Sequence, residues 1–258
     1  MAANLIIKGI DGNGIILRGN SGDDTLIGGT GDQLLYGTGG NDLLIAGNGN
    51  QELYGGSGDD WIVAGFGNQV FDGGAGRDTL DFSRLNAFVD IDIDLHYVNV
   101  LDPGTHALLY TSSVKSFDVI IGSNGGNDFH AAEYTSRSYI GGDASDRYRS
   151  ESGGDTVTGG GGADVFGWMK KYVIDGLVDH ITDFQLGVDR LDLSDFLKGQ
   201  GIKNAAYSDV VQLADMVDAG GVHSTLIKTL SYGTGFLATA VLDGVDSRAL
   251  TVHDLVLA

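Results

Sequence analysis

Between residues 19 and 81 a large apolar side chain recurs at one position in nine: Leu26, Leu35, Leu44, Leu53, Ile62, Phe71 and Leu80. The units run GNSGDDTLI, GGTGDQLLY, GTGGNDLLI, AGNGNQELY, GGSGDDWIV, AGFGNQVFD and GGAGRDTLD, each opened by a small residue and carrying Gly fourth. Each unit reads as a six-residue turn, where glycine supplies left-handed backbone, followed by a three-residue strand. The eighth-position side chain points inward, because side chains alternate across a strand. Two units complete one coil, so every second unit stacks on the same edge, about 4.8 Å from the next as neighbouring strands are.

Upstream, Gly9 to Leu17 fits the frame with Gly14 at the sixth position, an atypical capping unit. Residues 82–121 leave the repeat. Val89 to Leu95 alternates strictly and predicts a half-buried strand, with a turn at Leu101 to Gly104 and further strands at 107–110 and 117–121, an antiparallel excursion. From residue 123 the nine-residue register resumes without a slip, placing His130, Tyr139, Tyr148, Val157 and Phe166 inward. Beyond it, 178–184 and 190–193 predict strands joined by a turn at Leu186-Gly187, Ser194 a helix N-cap, and 208–217 a helix. Residues 224–231 and 236–242 read as a hairpin, and 250–257 as a short strand or helix. The expected fold is all-β: a right-handed parallel β-roll (β-helix) in two repeat blocks, with an inserted antiparallel excursion and a mixed β/α C-terminal cap. The expected divisions are 1–81, 82–121, 122–167 and 168–258.

Composition sharpens this. Gly supplies 43 of 258 residues and Pro one, without the three-residue period of collagen. The net charge is −20, which opposes binding to nucleic acid or anionic membrane and suits a cation-loaded protein. There is no cysteine, hence no disulfide and no thiolate zinc site. The N-terminus lacks the features of a Sec signal, and no apolar run is long enough to span a bilayer.

The chemistry lies at the sixth position, which runs Asp24, Gln33, Asp42, Gln51, Asp60, Gln69, Asp78. Calcium needs six to eight oxygen ligands. Two Asp turns stacked on one edge offer two carboxylates together with turn carbonyls, from Gly19, Ser21, Gly37, Gly39, Gly55, Ser57, Gly73 and Ala75. Without metal the aspartates form a like-charge ladder, so folding is expected to depend on the ion. The alternate edge carries neutral amides, expected to bond up their own ladder and to stay metal-free or to bind metal very weakly. In the second block the sixth positions are Asp128, Arg137, Asp146, Asp155 and Asp164. One edge is again all Asp, Asp128, Asp146 and Asp164 being candidate ligands; on the other, Asp155 is a further candidate, with Arg137 beside it able to supply a fixed positive charge where an ion would otherwise sit. Counting gaps between stacked Asp turns gives about five full sites.

These repeats resemble those of RTX (repeats-in-toxin, hemolysin-type) proteins, which are calcium-binding parallel β-rolls. The stretches Asp179 to Phe184 and Asp189 to Ser194, together with the apolar C-terminus, are similar to the C-terminal regions of type I-secreted members. The resemblance implies export by type I secretion machinery, folding on meeting calcium outside, and a further calcium at Asp179, with Asp175 as a second candidate. The Gln edge departs from the family pattern by doubling the usual spacing of acidic turns.

No H-E-x-x-H, G-x-S-x-G or P-loop motif is present, and no catalytic residue is assigned. The expected role is that of a secreted, non-enzymatic calcium-binding protein, structural, adhesive or targeting, outside the cell or at its surface, with polysaccharide or matrix as partner. Two other readings fit the same residues. One is the non-catalytic RTX module of a larger enzyme such as an alginate epimerase, protease or lipase. The other is an ice- or glycan-binding module using the outer row Thr25, Leu43, Trp61 and Thr79 with Ile27, Ile45 and Val63.

Overall fold

A computed structural model describes residues 2–93, 95–131, 135–150, 154–168, 177–199, 211–231 and 235–256. The chain divides into two compact units, 1–126 and 127–258. Unit 1 opens with β1 (Ile6–Lys8) and β2 (Ile15–Arg18). The repeats follow as β3 (Thr25–Ile27), β4 (Gln33–Tyr36), β5 (Leu43–Ile45), β6 (Glu52–Ser57), β7 (Trp61–Val63), β8 (Val70–Ala75) and β9 (Thr79–Asp81). Odd strands pair in parallel in one sheet and even strands in the other, each displaced by one coil: Leu26 pairs with Leu44, Leu35 with Leu53. This is the parallel β-roll that the nine-residue period predicts. Leu26, Leu35, Leu44, Leu53, Ile62, Phe71 and Leu80 are all at most 1% exposed. At about 1.5–3 kcal/mol for each fully buried side chain of this size, the column is the main apolar contribution to the roll.

The excursion is β10 (Phe88–Asp92), β11 (Tyr97–Leu101) and β12 (Leu108–Lys115), paired antiparallel. The far end of β12 turns back onto the roll, where Val114 pairs in parallel with Phe71. Next, β13 (Val119–Ile121) pairs with β9, Ile120 against Leu80. Val114 and Ile120 are both fully buried. Residues 112–121 therefore form one more coil on the stack. Asp90 and Asp92 are half-buried on the outer side of β10, and Asp94 lies outside the described residues. On the first sheet's outer face Val63 and Thr79 are covered, whereas Trp61 is 44% exposed and its indole N–H meets Asp81 at 3.1 Å.

Unit 2 contains β14 (Asn127–Ala131), β15 (Ser138–Ile140), β16 (Arg147–Ser150), β17 (Thr156–Thr158), β18 (Val165–Trp168), β19 (Asp179–Ile181) and β20 (Arg190–Asp192), again alternating between two parallel sheets. Tyr139, Tyr148, Val157 and Phe166 fill its interior, with Tyr139 in ring contact with Phe129 and Tyr148. The expected register fails at β14. Phe129, not His130, is buried and pairs with Tyr148, while His130 pairs with Arg149 on the outer face. The larger apolar ring takes the interior, and the frame slips by one residue.

The short helix α1 (Ser194–Gly199) starts at the residue read as its cap, and its first N–H donates to the Asp192 carboxylate at 2.9 Å. The expected helix at 208–217 is not found. Residues 208–210 lie outside the described residues, and β21 (Val211–Val217) is a strand paired antiparallel with β22 (His223–Ser231). Its apolar residues fit both periods, and the free edge of β22 decides for strand. With β23 (Gly235–Leu242), β22 forms the expected hairpin, and β23 joins β19 in parallel. A 3-10 turn (Val252–Asp254) and β24 (Leu255–Val256) complete the described residues. None of the helices described is long and apolar enough to cross a membrane.

Candidate metal centre

The Asp edge of unit 1 is one continuous ladder. The backbone N–H of Asp24 donates to Oδ1 of Asp42 at 2.7 Å, that of Asp42 to Asp60 at 2.8 Å, and that of Asp60 to Asp78 at 2.9 Å. The second oxygens have a different environment. Oδ2 of Asp42, Asp60 and Asp78 is buried and has no hydrogen-bond donor. Each points at the glycine that opens its own turn: a Cβ on Gly37 would sit 2.2 Å from Asp42 Oδ2 and 2.6 Å from the Gly55 carbonyl oxygen. Gly55 repeats this with Asp60 and the Gly73 carbonyl at 2.3 and 2.5 Å, and Gly19 with Asp24 and the Gly37 carbonyl at 2.4 and 2.6 Å. Carboxylate and carbonyl oxygens thus converge where a side chain cannot fit. The third-position carbonyls are partly engaged, Ser57 accepting from Gly40 and Ala75 from Gly58. Ser21 is exposed and Gly39 stands against Ser57.

Electrostatics show what the arrangement lacks. Burial, with the charges of Asp42 and Asp78 adding to it, pushes Asp60 up to about 7. Asp42 and Asp78 are raised for the same reason, burial first and then neighbouring carboxylates. Buried, donor-free, mutually repelling carboxylate oxygens facing carbonyls are a hard-cation donor set, and these residues fit calcium.

The Gln edge solves the same problem differently. Gln33, Gln51 and Gln69 are at most 2% exposed. Each Oε1 accepts at 3.0 Å from a glycine N–H of its own turn: Gly29, Gly47 and Gly65. The Gln51 amide N–H donates to the carbonyls of Gly29 at 2.7 Å and Gly31 at 3.2 Å, one coil back. The amides therefore bond to backbone carbonyls and not to one another, a correction to the stacked-amide expectation. The NH₂ group consumes the carbonyls that a cation would need. Fifth-position side chains add a further ladder on both edges, Asn41 N–H to Asp23 and Asp59 N–H to Asn41 on one, Asn50 N–H to Asp32 on the other.

In unit 2, Asp146 N–H donates to Asp164 at 2.9 Å and Asp164 N–H to Asp189 at 3.0 Å. Asp164 Oδ2 is buried without a donor, and burial with the Asp189 and Asp146 charges pushes Asp164 up to about 7. Gly141 brings Asp146 Oδ2 and the Gly159 carbonyl together. Asp128 does not join this edge. The slip at β14 turns it outward into an ion pair with Arg149, and Asn127 takes its place, donating to Asp146 at 2.8 Å. Asp155 and Asp179 also differ from the expected ligands. Asp155 accepts from Arg137 N–H and the Tyr148 hydroxyl, Asp179 from Asp155 N–H and the Trp168 indole, so protein donors engage every oxygen of this fully buried pair. Asp175 lies outside the described residues.

Two ladder members were missed by the sequence reading. Asp118 accepts from Asp78 N–H at 2.9 Å, and Asp189 continues the edge of unit 2. Both carry a partial signal, Asp118-Val119-Ile120 and Gly187-Val188-Asp189-Arg190-Leu191, the tail of the nonapeptide without its head. Elsewhere, Asp215, His223 and Asp246 offer ligand atoms within 4.8 Å of one another, but Arg248 clasps Asp246 and holds its carboxyl far below the ordinary range.

A family model for the RTX calcium-binding nonapeptide repeat matches residues 18–50, 45–80 and 140–166. No curated protein matches the sequence. Among solved structures, the chain is similar to the AlgE6R3 subunit of the Azotobacter vinelandii mannuronan C5-epimerase, at 21% identity over 80% of this chain and 77% of that one, with a TM-score of 0.31. It is also similar to the extracellular lipase LipA from Serratia marcescens, at 14% identity over 96% of this chain and 40% of the lipase, with a TM-score of 0.30. Residues 18–80 and 140–166, with their Asp-lined edges, are RTX calcium-binding nonapeptide repeats.

Proposed function

We propose that this chain is a secreted calcium-binding module, exported by type I secretion machinery, which completes its fold on the ions it meets outside the cell and serves there as a structural, adhesive or targeting element. One observation carries the reading: the row of buried, donor-free oxygens on Asp42, Asp60 and Asp78. Where calcium is scarce those carboxylates repel and weaken the fold, and where it is abundant binding adds to stability by mass action. The occupied edge is the Asp edge alone, since the amides of Gln33 and Gln51 already hold the carbonyls on the other. Circular dichroism and sedimentation in chelator and in millimolar calcium test it. A fold and a stability left unchanged by thorough chelation overturn it.

A second reading, capture of an acidic glycan of a cell surface or matrix, is favoured by a feature of unit 2. Arg147, Arg149, Gly167, Trp168, Asp192 and Asp195 line a cavity of about 70 Å³. The Arg149 guanidinium there pairs with Asp128 through Nη2, while its buried Nε has no hydrogen-bond partner. Arginine suits a carboxylate and aspartate suits sugar hydroxyls. Binding of oligogalacturonate that disappears in Arg149→Gln supports this reading, and no binding across acidic glycans removes it.

A further inference from the structure

The coil that receives the chain back from its excursion is not a nonapeptide. Val114 and Ile120 stack on Phe71 and Leu80, yet six residues separate them where nine separate the pair beneath. The return is made at Ser116, a non-glycine residue at φ 61°. This conformation aims the Ser116 carbonyl at the Asp78 turn: a Cβ on Gly73 would lie 2.1 Å from Ser116 O and 2.6 Å from Asp78 Oδ2. One coil below, Gly55 stands in the same relation to the Gly73 carbonyl and Asp60 Oδ2, at 2.5 and 2.3 Å. Asp118 accepts from Asp78 N–H as Asp78 does from Asp60 N–H. The Asp78 side chain is 1% exposed and its Oδ2 has no donor.

We infer that Asp78, Asp118 and the Ser116 carbonyl hold a calcium ion that closes the Asp edge of unit 1 and pins the returning end of the excursion to the roll. The inference rests on the calcium reading above and extends it to residues outside the repeats. It gives the excursion a metal-dependent fastening. On the fifth-position ladder the corresponding residue is Arg77, whose N–H donates to Asp59 Oδ1. Three gaps between repeat turns thereby become four.

The test uses the full chain, with bound calcium counted by equilibrium dialysis and hydrogen exchange followed by mass spectrometry. Asn at 118 keeps an acceptor for Asp78 N–H while removing the charge. Asp118→Asn is expected to bind about one calcium fewer and to lose the calcium-dependent slowing of exchange at 112–121, with that at 37–63 retained. Asp42→Asn is expected to lose protection at 37–63 first. If Asp42→Asn behaves so but Asp118→Asn binds and protects like wild type, the closing site is wrong and the wider reading stands. If wild type takes up no calcium, both fall.

Discussion

The backbone N–H of Asp42 donates to Oδ1 of Asp60 at 2.8 Å, one coil on, while Oδ2 of the same Asp60 is buried with no donor. One oxygen is spent on the stack and the other faces the gap. Asp60→Asn separates the two roles, because its carbonyl can keep the first and cannot supply the charge of the second. Calorimetry should show about two fewer ions, since Asp60 borders a gap on either side, together with a calcium-free chain no less stable than wild type.

The Gln edge predicts the reverse. Gln51→Asp removes the N–H donors from the carbonyls of Gly29 and Gly31 and adds a carboxylate in their place. Without calcium the variant should lose about 1–3 kcal/mol through unsatisfied carbonyls. In excess calcium it should gain binding capacity. Chemical denaturation in both conditions reads the two effects, and unchanged stoichiometry counts against an amide standing in for the ion.

The pH response follows from the raised carboxyls. Asp60 and Asp164 lie at about 7 and Asp146 at about 6, burial being the largest cause. A folded, calcium-free chain therefore binds more protons than an unfolded one, whose carboxyls titrate near 4. That contribution is fully present below about pH 4, and it is lost as pH rises through 6 to 7. In chelator the melting temperature should fall between pH 5 and pH 7.5, and excess calcium should flatten the dependence at neutral pH. A chelated melting temperature that rises over this interval contradicts the ladder as described.

A glycine substitution tests convergence of the oxygens. A Cβ on Gly37 meets Asp42 Oδ2 and the Gly55 carbonyl, so Gly37→Ala should abolish the ion between those turns. At Gly161 the nearest atom to a Cβ is 3.3 Å away, and Gly161→Ala should be mild by comparison. Dialysis on the two variants checks the contrast.

The core is ordinary by comparison. Leu44 is fully buried between Leu26 and Ile62, and Leu44→Ala should cost about 2–5 kcal/mol, measured by denaturation in saturating calcium.

The eighth-position column was legible because one residue type recurs at one spacing, and the Asp–Gln alternation because it needs no geometry. The bonding of the amides was not, since Gln51 finds its acceptors one coil back and 20 to 22 residues away. The slip at β14 was hidden because Phe129 and His130 are neighbours, and only packing against Tyr139 and Tyr148 chooses between them. Asp118 escaped because its turn has lost the glycines by which the others are recognised. At 211–217 the apolar spacing suited a helix as well as a strand, and pairing with β22 decided it.

The two edges also set which changes of length the roll can accept. Removing nine residues, for example 46–54, would leave every apolar side chain stacked on an apolar side chain and every strand in register. It would also exchange the edges beyond the cut, setting Gln69 above Asp42 and Asp60 above Gln33. At the junction Gln69 would lose the Gly47 carbonyl that it holds, and Asp42 and Asp60 would lose one another across the gap. Removing one whole coil of the repeat keeps Asp over Asp and Gln over Gln. The motif is nine residues long, but the segment by which this roll can be lengthened or shortened without chemical penalty is one complete coil.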